Sequence, residues 1–180
     1  MSTTNLSSPT LPQSALTPDE NEFALSRTFE APRELIWELL TQPQHLMKWW
    51  GPKGFDMVVA NVDLRPGGLF HYNLKHPSGM EMWAKWVFTE ILPPEYLGYI
   101  SSFSDAEGGT TRHPMSQDWP LEMLSSISLG EENGRTTLTI RSVAINASEA
   151  EVQTFKNGHS SMQQGFGGTL SQLEEYLKTF

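Results

Sequence analysis

Residues 148–180 read SEAEVQTFKNGHSSMQQGFGGTLSQLEEYLKTF, and this stretch decides the fold. Ser148 and Glu151 have the spacing of a capping box, in which a hydroxyl and a carboxylate each satisfy the other residue's backbone N–H at a helix start. Beyond them Val152, Phe155, His159, Met162, Phe166, Leu170, Leu173 and Leu177 recur at steps of three and four, the period of one apolar helix face. Gln153, Lys156, Gln172, Glu175 and Lys178 carry the polar face. The pattern predicts one long amphipathic helix whose stripe must be buried. Only the strand-like segments before it are large enough to cover that stripe, so a sheet gripping a terminal helix is expected.

Those segments are legible by their alternation. Residues 23–30 set Phe23, Leu25 and Phe29 against Ser26, Thr28 and Glu30, with Arg27 a charged intrusion on the apolar side. Ala31-Pro32 turns the chain into a helix with Leu35, Ile36, Leu39 and Leu40 as its stripe, and Pro43 opens a second short helix that Gly51-Pro52 stops. Trp49-Trp50 at its end reads as a seal on the core or as a binding feature. Residues 55–64 place Val58, Ala60, Val62 and Leu64 on one strand face, and Arg65-Pro66-Gly67-Gly68 suits a type II turn. Phe70, Tyr72 and Leu74 then alternate with His71, Asn73 and Lys75, and Met82, Ala84, Trp86 and Phe88 form one side of a long strand over residues 80–91.

Pro93-Pro94 breaks that strand, and residues 95–103 start another. Residues 104–120 follow as a polar loop holding Arg112, His113, Asp118 and Trp119. It is long for a hairpin connection and is a candidate lid. Residues 121–129 and 135–145 form the last two strands, joined through Asn133-Gly134, the strongest short hairpin signal. The count is seven strands, two short helices after the first and one long terminal helix: an α+β architecture with an antiparallel sheet.

Composition narrows the function classes. With 180 residues, 38% hydrophobic, the chain suits one domain over residues 22–180, behind a disordered tail over residues 1–21 that is rich in Ser, Thr and Pro and has neither Lys nor Arg. No secretory or transit leader is legible in that tail. The absence of cysteine removes disulfides, thiolate zinc ligands and a thiol nucleophile, and fits a cytoplasmic setting. A net charge of −9 with scattered Lys and Arg argues against nucleic acid as a partner. The apolar runs are far short of the ~20 residues that span a bilayer.

Several separated motifs also carry a family likeness. Arg27 with Phe29-Glu30-Ala31-Pro32, the LMKWWGP run over residues 46–52, Asp63-Leu64-Arg65-Pro66-Gly67-Gly68, the EILPPEYL run over residues 90–97, and Gly165-Phe166 followed by Leu170 and Leu173 resemble the family of the activator homologue of the ninety-kilodalton heat-shock chaperone's ATPase. That family belongs to the START-like, or SRPBCC, helix-grip superfamily, and the likeness spans about residues 23 to 178. It implies a seven-stranded sheet gripping the C-terminal helix over an apolar cavity. The superfamily hosts lipid carriers, hormone receptors and polyketide cyclases, so the fold alone does not name an activity. Where the family commonly has Gly-Trp, this chain has Gly165-Phe166-Gly167-Gly168. Each glycine costs about 1 kcal/mol against alanine inside a helix, so a kink is expected there, as a gate over the cavity or as a close packing contact.

The candidate site follows from these faces. Phe70, Tyr72, Met82, Trp86, Tyr99, Met123, His159, Met162, Gln163 and Phe166 are the expected ligand-binding residues, offering aromatic faces and flexible thioethers to a planar or lipidic molecule. Taken singly, most of them read first as ordinary core side chains, and it is the family resemblance that raises the cavity reading for the set. His45, His71, His76, His113 and His159 show no metal-ligand spacing, and no GxSxG, dinucleotide or phosphate-loop motif occurs, so neither a metal nor a cofactor is expected. The leading reading is a non-catalytic binder of a small hydrophobic or aromatic molecule, with lipid binding and a stress-response role as associated expectations. A polyketide cyclase or aromatase is the enzymatic alternative, with His159, Tyr72, Tyr99, Glu81 and Arg112 as the groups available to shuttle a proton. A co-regulator of a chaperone ATPase is the interaction alternative, and a homodimer is a further possible partner state.

Overall fold

The computed structural model describes residues 20–180. The expected tail over residues 1–21 therefore lies outside the described residues except for Glu20 and Asn21. Chain order is β1 (Phe23–Phe29), α1 (Arg33–Thr41), α2 (Pro43–Trp49), β2 (Asp56–Val62), β3 (Leu69–Lys75), β4 (Glu81–Leu92), β5 (Tyr96–Ser104), β6 (Thr110–Thr111), β7 (Glu122–Glu132), β8 (Arg135–Ile145), α3 (Glu149–Asn157) and α4 (His159–Leu177). The sheet runs β1-β8-β7-β5-β4-β3-β2, antiparallel throughout, with β6 paired to β5 off that path. Seven principal strands and a terminal helix give the α+β helix-grip fold. The eighth strand, β6, is two residues inside the polar loop expected over residues 104–120.

The hairpins use the turn chemistry that the sequence supplies. Gly68 N–H donates to the Arg65 carbonyl at 2.8 Å while Gly67 takes φ +81°, the left-handed value that a type II turn requires at its third residue. Asn133 and Gly134 take φ +53° and +76°, as a type I′ hairpin demands. Pairing of β1 with β8, with Phe23 opposite Ser142 and Phe29 opposite Thr136, ties the start of the domain to its end.

Two expectations change in the structure. Met57, not Val58, turns inward, because a bulge between Met57 and Val59 absorbs one residue; Val58 is left exposed while Ala60 and Val62 stay on the core side. The single terminal helix is two helices that meet at Gly158, and the kink expected at residues 165–168 is absent, since α4 runs through them. Thr169 and Ser171 bond back to the carbonyls of Gly165 (3.2 Å) and Gly167 (3.0 Å), while buried Leu170 and Leu173 anchor this stretch to the core. Tertiary packing thus outweighs the glycine propensity cost. A Cβ at Gly165 or Gly168 would meet nothing within 4 Å, so close packing does not explain these glycines.

The capping box at α3 forms as expected: Glu151 N–H donates to Ser148 Oγ at 3.2 Å, and Ser148 N–H donates to Glu151 Oε2 at 3.0 Å. Under the helices, Ile36, Leu39, Leu40, Leu46, Phe155, Leu170 and Leu173 are essentially fully buried. Each large apolar side chain contributes about 1.5–3 kcal/mol by leaving water. Arg27, the charged residue on the apolar side of β1, reaches the edge of α4 and donates to Ser171 Oγ at 2.9 Å.

Candidate functional site

Sheet and helices do not close fully on each other, and a cavity of about 660 Å³ remains between them. Its floor is the inward face of the central strands. Tyr72 on β3, Met82 and Trp86 on β4, Tyr99 on β5 and Met123 on β7 point into it, as the period-two pattern required. Its roof is the junction of α3 and α4 followed by Met162, Gly165 and Phe166. Seven of the ten expected site residues therefore line one cavity, five from its floor and two from its roof.

The other three sit elsewhere. Phe70 is fully buried beside the floor on the same strand face, stacked on Tyr72 at 4.5 Å and edge-on to Trp86 at 5.0 Å, so it supports the lining without joining it. Gln163 is exposed on α4 and outside the cavity lining. His159 lies edge-on to Phe155 at 4.9 Å and to Phe23 at 5.8 Å, away from the lining. Glu81 and Arg112, named as possible proton shuttles, are also absent from the lining: Glu81 accepts from Asn73, and Arg112 pairs with Glu151 at 2.5 Å.

Aromatic packing fixes the floor. The Trp86 and Tyr99 rings stack at 4.0 Å, and Trp50 stands edge-on to Trp86 at 5.0 Å. Burial pushes the pKa of the Tyr72 hydroxyl up, and the neighbouring indoles of Trp50 and Trp86 only partly oppose that rise. Burial, reinforced by Tyr72, pushes the Tyr99 hydroxyl up as well. Both phenols stay protonated at neutral pH, as donors and apolar walls. Neither is poised as a base.

Trp50 belongs to the cavity while its neighbour does not. Trp49 is buried and donates its indole N–H to the Leu39 carbonyl at 2.9 Å, a structural role. The backbone after it is held by α4: Thr169 Oγ1 and Gln172 Nε2 both donate to the Gly51 carbonyl, at 2.9 and 2.7 Å. Gly51 has φ +117°, and a Cβ there would come within 2.9 Å of Leu74 Cδ2, so only glycine lets this chain cross the cavity rim. Trp50 is thereby aimed inward.

The loop between β5 and β7 supplies the remaining wall through His113 and Trp119. The His113 ring packs edge-on against Phe103 at 4.7 Å, and its Nδ1 accepts from Met115 N–H at 3.0 Å. Desolvation lowers its pKa, so it is neutral at pH 7. Trp119 lies against Phe155 at 5.6 Å and directly over Gly158. Arg112 ties the loop to α3 through Glu151, the same carboxylate that caps the helix; the Ser148 backbone and then Arg112 hold its pKa below the usual range. The expected ligand-binding set left out Trp50, read as a core seal or a binding feature, and His113 and Trp119, read as part of a candidate lid, because no periodicity marks them as inward-facing. It also passed over Ser101, Ser125 and Ser142, which line the floor as polar residues at inward strand positions. Among the described residues, no three His, Asp or Glu side chains are grouped to hold a metal ion, and no helix is long and apolar enough to cross a membrane.

A family model described as Activator of Hsp90 ATPase homolog 1-like protein matches residues 30–178. The chain belongs to this family. Solved structures agree on the fold. A Nitrosomonas europaea protein is 28% identical, with a TM-score of 0.70 over 89% of this chain and 96% of its own. Proteins from Arthrobacter aurescens (24% identity, TM-score 0.73, 89% and 88% covered) and Mycobacterium smegmatis (23%, 0.71, 88% and 91%) share the architecture. No curated protein matches the chain. Within the Activator of Hsp90 ATPase homolog 1-like family, then, this member has a helix-grip domain with an aromatic-floored cavity.

Proposed function

We propose that this protein binds a small hydrophobic or aromatic molecule in the cavity between its sheet and its terminal helices, without transforming it. The observation that carries the reading is the cavity itself: about 660 Å³, within the ordinary range of small-molecule sites, with an indole–phenol stack as its floor and Met82, Met123 and Met162 as adaptable walls. A cavity this size in an otherwise close-packed core forfeits packing energy unless something occupies it. The cyclase alternative loses support, because His159 is outside the cavity and both floor tyrosines are held protonated.

Native mass spectrometry of the freshly purified protein, followed by denaturation and identification of what is released, tests this reading. A stoichiometric apolar molecule is the expected result. A clean mass that stays clean after soaking with neutral and anionic apolar compounds contradicts it and favours a protein-interaction role.

A further inference from the structure

The cavity floor carries a short row of hydroxyls. Ser125 on β7 lies opposite Ser142 on β8 and Tyr99 on β5, and Ser101 follows two residues after Tyr99 on the same strand. The Ser125 and Ser142 hydroxyl oxygens are 2.8 Å apart, and Ser125 and Ser101 are 3.4 Å apart. All three line the cavity, and Ser125 and Ser142 are themselves buried. Three hydroxyls offer three donors and six acceptor sites, whereas two mutual contacts consume at most two of each. Most of that capacity is left for a guest.

The same lining has no ion to offer. Among the described residues around the cavity there is no Lys, Arg, Asp or Glu. Its one imidazole, His113, is kept neutral by desolvation, and the phenols of Tyr72 and Tyr99 stay protonated. An ionised group taken into such a site loses its hydration and finds no counter-charge, a far larger penalty than burying a hydroxyl or carbonyl that is hydrogen-bonded.

Building on the binding role above, we infer that the cavity selects an uncharged molecule with hydroxyl or carbonyl oxygens along one edge, read by the row Ser101–Ser125–Ser142, and rejects the ionised carboxylate of a fatty acid. The aromatic stack takes the flat or apolar body of the guest, and the serine row fixes its orientation.

The test uses three probes with one skeleton, pyrene, 1-hydroxypyrene and 1-pyrenecarboxylate, titrated at pH 7 into the full chain and followed by probe fluorescence. The expected order is hydroxypyrene tightest, pyrene next, and the carboxylate about a hundredfold or more weaker than hydroxypyrene. Ser125→Ala weakens hydroxypyrene about three- to tenfold, the size of one net hydrogen bond, and leaves pyrene unchanged; Ser125→Thr restores the preference. Ser142→Ala serves as a second variant if the first does not fold. Carboxylate binding as tight as hydroxypyrene, or a hydroxyl preference untouched by both alanine variants, overturns the inference while the cavity reading stands. Failure of all three probes, pyrene included, overturns both.

Discussion

A Cβ added to Gly158 would stand 2.8 Å from Cζ3 of Trp119. The backbone at Gly158, φ −83° and ψ −6°, is open to any residue, so space and not conformation requires glycine here. The indole of the long loop sits where a continuous helix would carry a side chain, and α3 and α4 part at that point. Gly158→Ala is expected to push Trp119 out of the cavity wall. The cost is about 1–3 kcal/mol, the range for overpacking a filled site. Thermal unfolding together with a red-shifted tryptophan emission checks it; an unchanged melting temperature and emission would show that the indole shifts freely.

Acid should destabilise the fold in two stages. Burial lowers the pKa of His113, and burial and then Lys156 lower that of His159, so the folded state resists protons that the unfolded chain accepts below about pH 6.5. Their contribution is whole above that pH and is lost progressively below it, as pH falls through the lowered folded-state values. Glu151 is held below the usual glutamate value of about 4.3, so its contribution persists to lower pH and is lost last. Urea midpoints measured from pH 7.5 to 4 should fall below pH 6.5, and the His113→Gln, His159→Gln double variant should flatten the upper stage. A wild-type midpoint that is level from pH 7.5 to 5 refutes this.

The grip of α4 on the rim can be graded. Leu170 is fully buried, and Leu170→Ala should cost about 2–5 kcal/mol. Thr169→Val keeps the shape but removes the donor to the Gly51 carbonyl, so about 1 kcal/mol and a loosened Trp50 are expected. Chemical denaturation gives the energies, and the accessibility of Trp50 to acrylamide quenching gives the second readout. Equal losses in the two variants would deny that the hydroxyl is a local tie.

Much of this architecture was legible because each strand has a wet side and a dry side. The alternation alone places Tyr72, Met82, Trp86 and Tyr99 on one inner face. What failed did so for local reasons. The bulge after Met57 reverses the alternation by one residue, and nothing in the side chains marks it. His159 keeps the helical period but falls on the far side of the break at Gly158, facing Phe23 and Phe155. Trp119 reaches the cavity from a loop that has no period at all, and the serine row was hidden because small polar residues at inward positions look like interruptions of a core.

Gly165 offers the most direct test of the central claim that the cavity is a binding site. It lines the roof, and a Cβ there meets nothing within 4 Å, so Gly165→Leu should fill the cavity from a helix position that also gains about 1 kcal/mol of propensity. The measurement is Nile red fluorescence, a neutral apolar reporter, titrated against wild type and Gly165→Leu, with melting temperatures taken alongside. The account predicts saturable one-to-one binding in wild type and its loss in the variant, at an equal or higher melting temperature. Equal binding in both proteins, with the variant folded, would contradict it.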